Sequence, residues 1–144
     1  VFGERQQPTS VIPRFIKKIL DGETLTVHVD ANGIPVTRSF IYGADVADAT
    51  LRVLTDGKIR QKYGFPGSLE TRIDDLATRI GAICGKDAKI EYKYPSDVRP
   101  GVDARYSVGG TNMMDDLGWS PCNSVDEQLR TTVRWYIDHP EWFR

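Results

Sequence analysis

Between Val11 and Leu20 the apolar residues Val11, Ile12, Phe15, Ile16, Ile19 and Leu20 recur at helical spacing, and just beyond Gly22 the period drops to two in Thr24-Leu25-Thr26-Val27-His28-Val29-Asp30. A chain that must bury a helix stripe and then one face of a strand within so short a stretch has to layer helices on a sheet. Thr9 or Ser10 is placed to cap the helix, Pro13 is tolerated in its first turn, Gly22 ends it, and Arg14, Lys17 and Lys18 take the opposite face.

The rest of the chain repeats the alternation. Asp30-Ala31-Asn32-Gly33 reads as a hairpin turn, with Ile34 to Tyr42 as the returning strand. A helix follows over 44–54, stopped by Asp56-Gly57, then a strand over 58–65 ended by Pro66-Gly67. The stripe Leu69, Ile73, Leu76, Ala77, Ile80 and Ile83 predicts a helix over 68–84. A strand over 88–94, a loop, a short strand over 105–108 and a brief helix closed at Gly118 come next. Ser124-Val125-Asp126-Glu127 is a capping box for a last helix reaching about Asp138, with Val125, Leu129, Val133 and Ile137 as its buried stripe. Trp119, Trp135 and Trp142 are expected to gather the C-terminal helices, and Tyr63 and Phe65 to be core aromatics. The fold class expected is α/β, one domain over 1–144 with a small mixed sheet and layered helices.

Charge narrows the function. Lys and Arg total 19 against 20 acids, so no basic excess points to a nucleic-acid partner, and an anion site has to come from a few local cations. The two cysteines form no CxxC pair and read as reduced thiols of a cytoplasmic protein, while two histidines leave no basis for a metal centre. No run approaches the roughly 20 apolar residues that span a bilayer, so no membrane partner is expected.

No GxGxxG turn, P-loop or nucleophile elbow occurs, and no Ser or Cys has a matching His and acid; no catalytic residue is assigned. What remains is a set of arginines. Residues 97–108, Asp-Val-Arg-Pro-Gly-Val-Asp-Ala-Arg-Tyr-Ser-Val, join two strands, and the Pro-Gly after Arg99 fixes the backbone there. Arg38 lies in the returning strand before Phe40 and Tyr42. Guanidinium forks from two elements suit a pyrophosphate, each donating two parallel hydrogen bonds. Equally open on local grounds are a solvent-facing strand position for Arg38, a salt bridge from Arg99 to Asp97 or Asp103, and a half-buried structural His28.

The ordered series "VFGERQ", "IPRFIKKILDGETLTVH", "TRSFIYGADVADATLRVL", "RPGVDARYSV", "LGWSP" and "VRWYIDHPEW" resembles the C-terminal half of the extended short-chain dehydrogenase/reductases that act on nucleotide sugars, the dTDP-glucose 4,6-dehydratases and related epimerases above all. The resemblance covers residues 1 to 144. It implies a substrate-binding half whose Rossmann half, with NAD and the catalytic Tyr-x-x-x-Lys, lies outside this sequence, so that NAD serves the whole architecture and is not bound by this chain alone. It implies phosphate contacts for Arg38 and Arg99, with Asp103 near the ribose or orienting Arg99 and Tyr106 completing the same pattern. Pro13 falls in the segment passing the base, and His28 where relatives stack a tyrosine on it. Tyr63-Gly64 stands where relatives have Tyr-Asn, and Val102 where many have His. The expected partner is a nucleotide-diphosphate sugar. A free-standing, non-catalytic nucleotide-sugar or protein-interaction module is the alternative, and an uncovered apolar surface near 1–10 and 30–45 would favour self-association or pairing with a separate Rossmann half.

Overall fold

The computed structural model describes residues 1–94, 105–107, 109, 111–122 and 124–143. The first helix, α1 (Val11–Leu20), buries Ile12, Pro13, Phe15, Ile16 and Ile19. Its last carbonyls are covered: the Asp21 and Glu23 N–H groups donate to Lys17 and Lys18, and the Lys86 ammonium donates to the Leu20 oxygen at 2.5 Å. Strand β1 (Leu25–His28) then alternates, with Leu25 and Val27 fully buried and Thr26 and His28 half-buried.

β1 does not pair with the strand that follows it. It runs parallel to β4 (Ile90–Lys93) in a two-stranded sheet, whereas β2 (Thr37–Phe40) is the centre of a second, three-stranded sheet between β3 (Leu69–Arg72, antiparallel) and β5 (Arg105–Tyr106, parallel). The expected hairpin survives only at its tip. There the Asp30 carboxylate accepts the N–H groups of Asn32 and Ile34 at 2.8 and 2.9 Å, Gly33 takes φ +79°, and Val29 bridges Pro35. Beyond a single Val36 N–H to His28 carbonyl bond at 3.1 Å the arms part into different sheets.

Two other expectations are corrected. Residues 69–72, read as the start of a helix, are β3: Leu69 and Thr71 are buried and Glu70 and Arg72 exposed, the period of a strand, and helix α3 (Ile73–Cys84) begins only afterwards. Residues 58–65, read as a strand, form none; Ile59 is 94% exposed, and only Tyr63 and Phe65 turn their side chains inward. It is tied instead by side chains: the Tyr63 hydroxyl accepts the Lys58 N–H at 3.0 Å and donates to Asp116 at 3.3 Å, and Asn112 donates to the Lys62 carbonyl. Helices α2 (Gly43–Asp56), α4 (Thr111–Leu117) and α5 (Val125–Asp138) fall close to their expected places. Ser10 and Ser124 occupy the N-cap positions of α1 and α5, but neither side chain makes a capping hydrogen bond.

Two apolar clusters result. The larger joins α1, α3 and α5 to β1 and β2 through Phe15, Ile16, Leu25, Val27, Phe40, Leu76, Ile80, Leu129 and Val133. The smaller lies under α2 and α4, around Ile41, Ala49, Met113 and Trp119, with Tyr63 and Phe65 packed against it. Trp119 thus belongs to the second cluster, where its indole donates to Asp48 at 2.7 Å, while at the end of α5 Trp135 stacks on His139 and meets Trp142 edge-on. The N-terminal segment is stitched on by Phe2, which exchanges hydrogen bonds with Ile41 and Gly43 at 2.8 Å. A Cβ on Gly3 would stand 3.3 Å from the Tyr42 ring, so that ring packs on bare backbone. Of the large apolar residues in 1–10 and 30–45, Val1 and Ile34 are exposed, while Phe2, Val36, Phe40 and Ile41 are buried.

Candidate functional site

The parting of β1 and β2 opens a cleft of about 770 Å³ bounded by α1, both sheets and the N-terminal residue. Its floor is apolar: Phe15, Val36, Phe40 and Ile73. Thr26 and His28, two residues apart on β1, show the same face, and Lys93, the register partner of His28 on β4, stands beside them. Arg14 and Lys18, one helical turn apart, line it from α1, and Arg38 and Ser39 from β2.

Four cations and an imidazole therefore surround one apolar floor, and among the described residues no carboxylate lines the cleft. Part of this charge is already engaged. The Arg38 guanidinium donates to the Thr37 carbonyl at 2.8 Å; Lys18 lies 3.5 Å from Glu23 and donates to the Thr24 carbonyl; Lys93 lies 3.6 Å from Glu91. The Arg14 guanidinium forms no ion pair among the described residues. Chemically, such a surface can attract an anion and cover a flat or apolar group attached to it.

Of the residues singled out from sequence, Arg38 and His28 meet here. Pro13 is buried in α1, and its neighbours Val11 and Arg14 line the cleft in its stead. Tyr106 is 58% exposed and borders a smaller hollow with Ser39, Ile41 and Phe65, although its backbone is the register partner of Arg38. Arg99 and Asp103 lie outside the described residues. Arg105 is engaged structurally: its guanidinium grips both Glu70 oxygens at 2.5 and 3.0 Å, a staple from β5 to β3 across β2 that holds Glu70 below the usual carboxylate range.

Arg14, Lys18 and Lys93 were missed because a helical wheel assigns every charge opposite the stripe to solvent. Lys17 does point away, paired with Asp21 at 2.6 Å; Arg14 and Lys18 flank the stripe and turn to the cleft. Their i, i+4 spacing beside the hairpin is the one signal the sequence held.

A second hollow lies behind the N-terminal segment, between Glu4, Arg5, Gln6, Tyr42, Gly43 and Trp135. Here the Tyr42 hydroxyl donates to the Glu4 carboxylate at 2.8 Å, and burial together with that carboxylate pushes the phenol up to about 12.

Several known proteins resemble this chain in sequence and in fold. Residues 1–64 match the family model described as NAD dependent epimerase/dehydratase family. That match spans 64 of the chain's 144 residues. A trifunctional UDP-glucose 4,6-dehydratase/UDP-4-keto-6-deoxy-D-glucose 3,5-epimerase/UDP-4-keto-L-rhamnose-reductase of Arabidopsis thaliana is 34% identical over 99% of this chain and 21% of its own length. A crystal structure of a Streptomyces venezuelae dTDP-glucose 4,6-dehydratase with NAD bound aligns at a TM-score of 0.84, 29% identical, over 99% of this chain and 43% of that one. A UDP-glucose 4-epimerase of Thermotoga maritima, solved with UDP-glucose, aligns at 0.79 and 28% over 95% and 43%. The chain thus spans between a fifth and just over two fifths of these proteins. Its small α/β fold of mixed sheet and layered helices is shared with the corresponding part of both structures, and the relatives within this family are nucleotide-sugar dehydratases and epimerases.

Proposed function

We propose that this chain is the substrate-binding portion of an NAD-dependent nucleotide-sugar 4,6-dehydratase or epimerase, and that the cleft between α1, β1 and β2 holds the nucleotide diphosphate. The observation that carries the reading is the cleft's composition: Arg14, Lys18, Arg38 and Lys93 over an apolar floor, with His28 beside them and no lining carboxylate among the described residues. A guanidinium on a strand end is a rigid two-donor fork for phosphate oxygens, and a floor of Phe15, Val36 and Phe40 suits the nucleoside. Arg99 and Asp103 supply the second jaw in this reading; their segment leads into β5, whose Tyr106 pairs with Arg38.

The chain's residues bind and orient. In this reading NAD would be held outside these residues and would supply the hydride chemistry. Among the described residues no strand passes through a GxGxxG turn into a helix, so no dinucleotide site is assigned to this chain and neither the hydride nor a proton is routed through it.

Calorimetric titration with UDP, dTDP and GDP tests the proposal. At least one diphosphate is expected to bind, and Arg38→Ala to weaken it by about tenfold or more, the usual loss for a charge-assisted hydrogen bond. Arg38→Ala binding as tightly as the unaltered chain, with an unchanged melting temperature, would refute the role.

A further inference from the structure

The cleft carries more cations than a diphosphate needs, and they are not equivalent. Lys18 and Lys93 each have a glutamate within 4 Å, whereas the Arg14 guanidinium has no acid partner among the described residues. Arg14 projects from the exposed edge of α1, one turn from Lys18, above the floor made by Phe15. Thr26 and His28 on β1 line the same cleft. A planar ring lying on this floor with its phosphates toward Arg38 turns an edge toward α1, where it meets a group that can only donate hydrogen bonds.

We propose that Arg14 selects the base: it requires a keto oxygen on that edge, as uracil, thymine and guanine present, and disfavours the amino group of cytosine. The inference rests on the reading that the cleft takes a nucleoside diphosphate. A guanidinium meeting a carbonyl gains a charge-assisted bond, whereas one meeting an exocyclic amino group faces donor against donor and stays unpaired in the complex. Arg14 is exposed, and among the described residues its guanidinium makes no ion pair, so its removal is expected to leave the fold intact.

UDP and CDP have the same charge and nearly the same shape, so their ratio isolates the edge of the base. Titrating the chain with each, the expected result is UDP bound about tenfold more tightly than CDP. Arg14→Ala brings that ratio to about one by weakening UDP, and Arg14→Lys, which keeps the charge but loses the fork, lowers it. Equal binding of UDP and CDP to the unaltered chain, or a ratio that Arg14→Ala leaves unchanged, overturns the inference while the nucleotide reading stands. Binding of none of UDP, CDP, dTDP and GDP overturns both.

Discussion

The cleft side of the molecule and the α2–α4 side use their charges in opposite ways. Under α2 and α4 the cations are consumed in holding the structure: Arg52 pairs with Asp56 at 3.1 Å, and Lys58 pairs with Asp116, which also takes the Tyr63 hydroxyl. Around the cleft four cations converge on one space with no lining carboxylate among the described residues. The apolar clusters differ likewise. The larger one gathers seventeen buried residues from α1, α3, α5 and the strands, whereas α2 leaves Leu51 and Leu54 exposed beside four buried residues. A firm core with several cations gathered at one edge is what a preorganised anion site needs; charge paired over a thin core only fastens a segment.

Cavity-forming substitutions strain this contrast most. Phe15→Ala is expected to lower stability by about 4 kcal/mol and to weaken nucleotide binding as well, because Phe15 belongs both to the core and to the cleft floor. Met113→Ala, fully buried in the smaller cluster, should cost about 2–3 kcal/mol and leave affinity unchanged. Denaturant unfolding with a parallel nucleotide titration of each variant separates the two; loss of affinity in Met113→Ala would erase the distinction.

A smaller effect distinguishes the cations themselves. Lys93→Ala should weaken nucleotide binding severalfold and reduce its salt dependence, while Lys58→Ala, whose ammonium is committed to Asp116, should change neither. Titrations at two ionic strengths provide the check, and equal effects from the two lysines would mean that the general field, not the cleft, draws the ligand.

The smallest expected effect sits at the seam, where Tyr42 ends β2's run into α2 and donates to Glu4. Burial and the Glu4 carboxylate raise its phenol from 10.0 to about 12. The folded state thus holds this proton more tightly than the unfolded chain, so the contribution is whole below pH 10 and is lost as pH rises toward 12. Following tyrosinate absorbance with melting temperature across that window should show it, and Tyr42→Phe should remove that part of the decline. A decline unaltered in Tyr42→Phe would place the titrating group elsewhere.

How much of this the sequence disclosed follows from the range of the forces involved. Helices α1, α2 and α5 and the body of α3 were legible because an apolar stripe at 3.6-residue spacing is a local property. β3 was not, because Leu69 and Ile73 are four apart and satisfy a helix as well as a strand; pairing with β2 decides it. The turn at Asp30 to Gly33 was legible from its own side chains, but the parting of its arms depends on β4, some sixty residues away in sequence. At the site, Arg38 and His28 stood out by residue type and resemblance. Arg14, Lys18 and Lys93 did not, since a wheel or a strand alternation cannot tell a solvent face from the wall of a cleft that other elements complete.

The central claim is that ligand meets the α1–β1–β2 cleft, and an amide chemical-shift titration of the isotopically labelled chain with UDP tests it most directly. Saturable shifts centred on Arg14, Lys18, His28, Arg38 and Lys93, with α2 and α4 undisturbed, are the expected result. Shifts centred on α2 and α4, or on the Glu4–Tyr42 hollow, or none at saturating nucleotide, would contradict it.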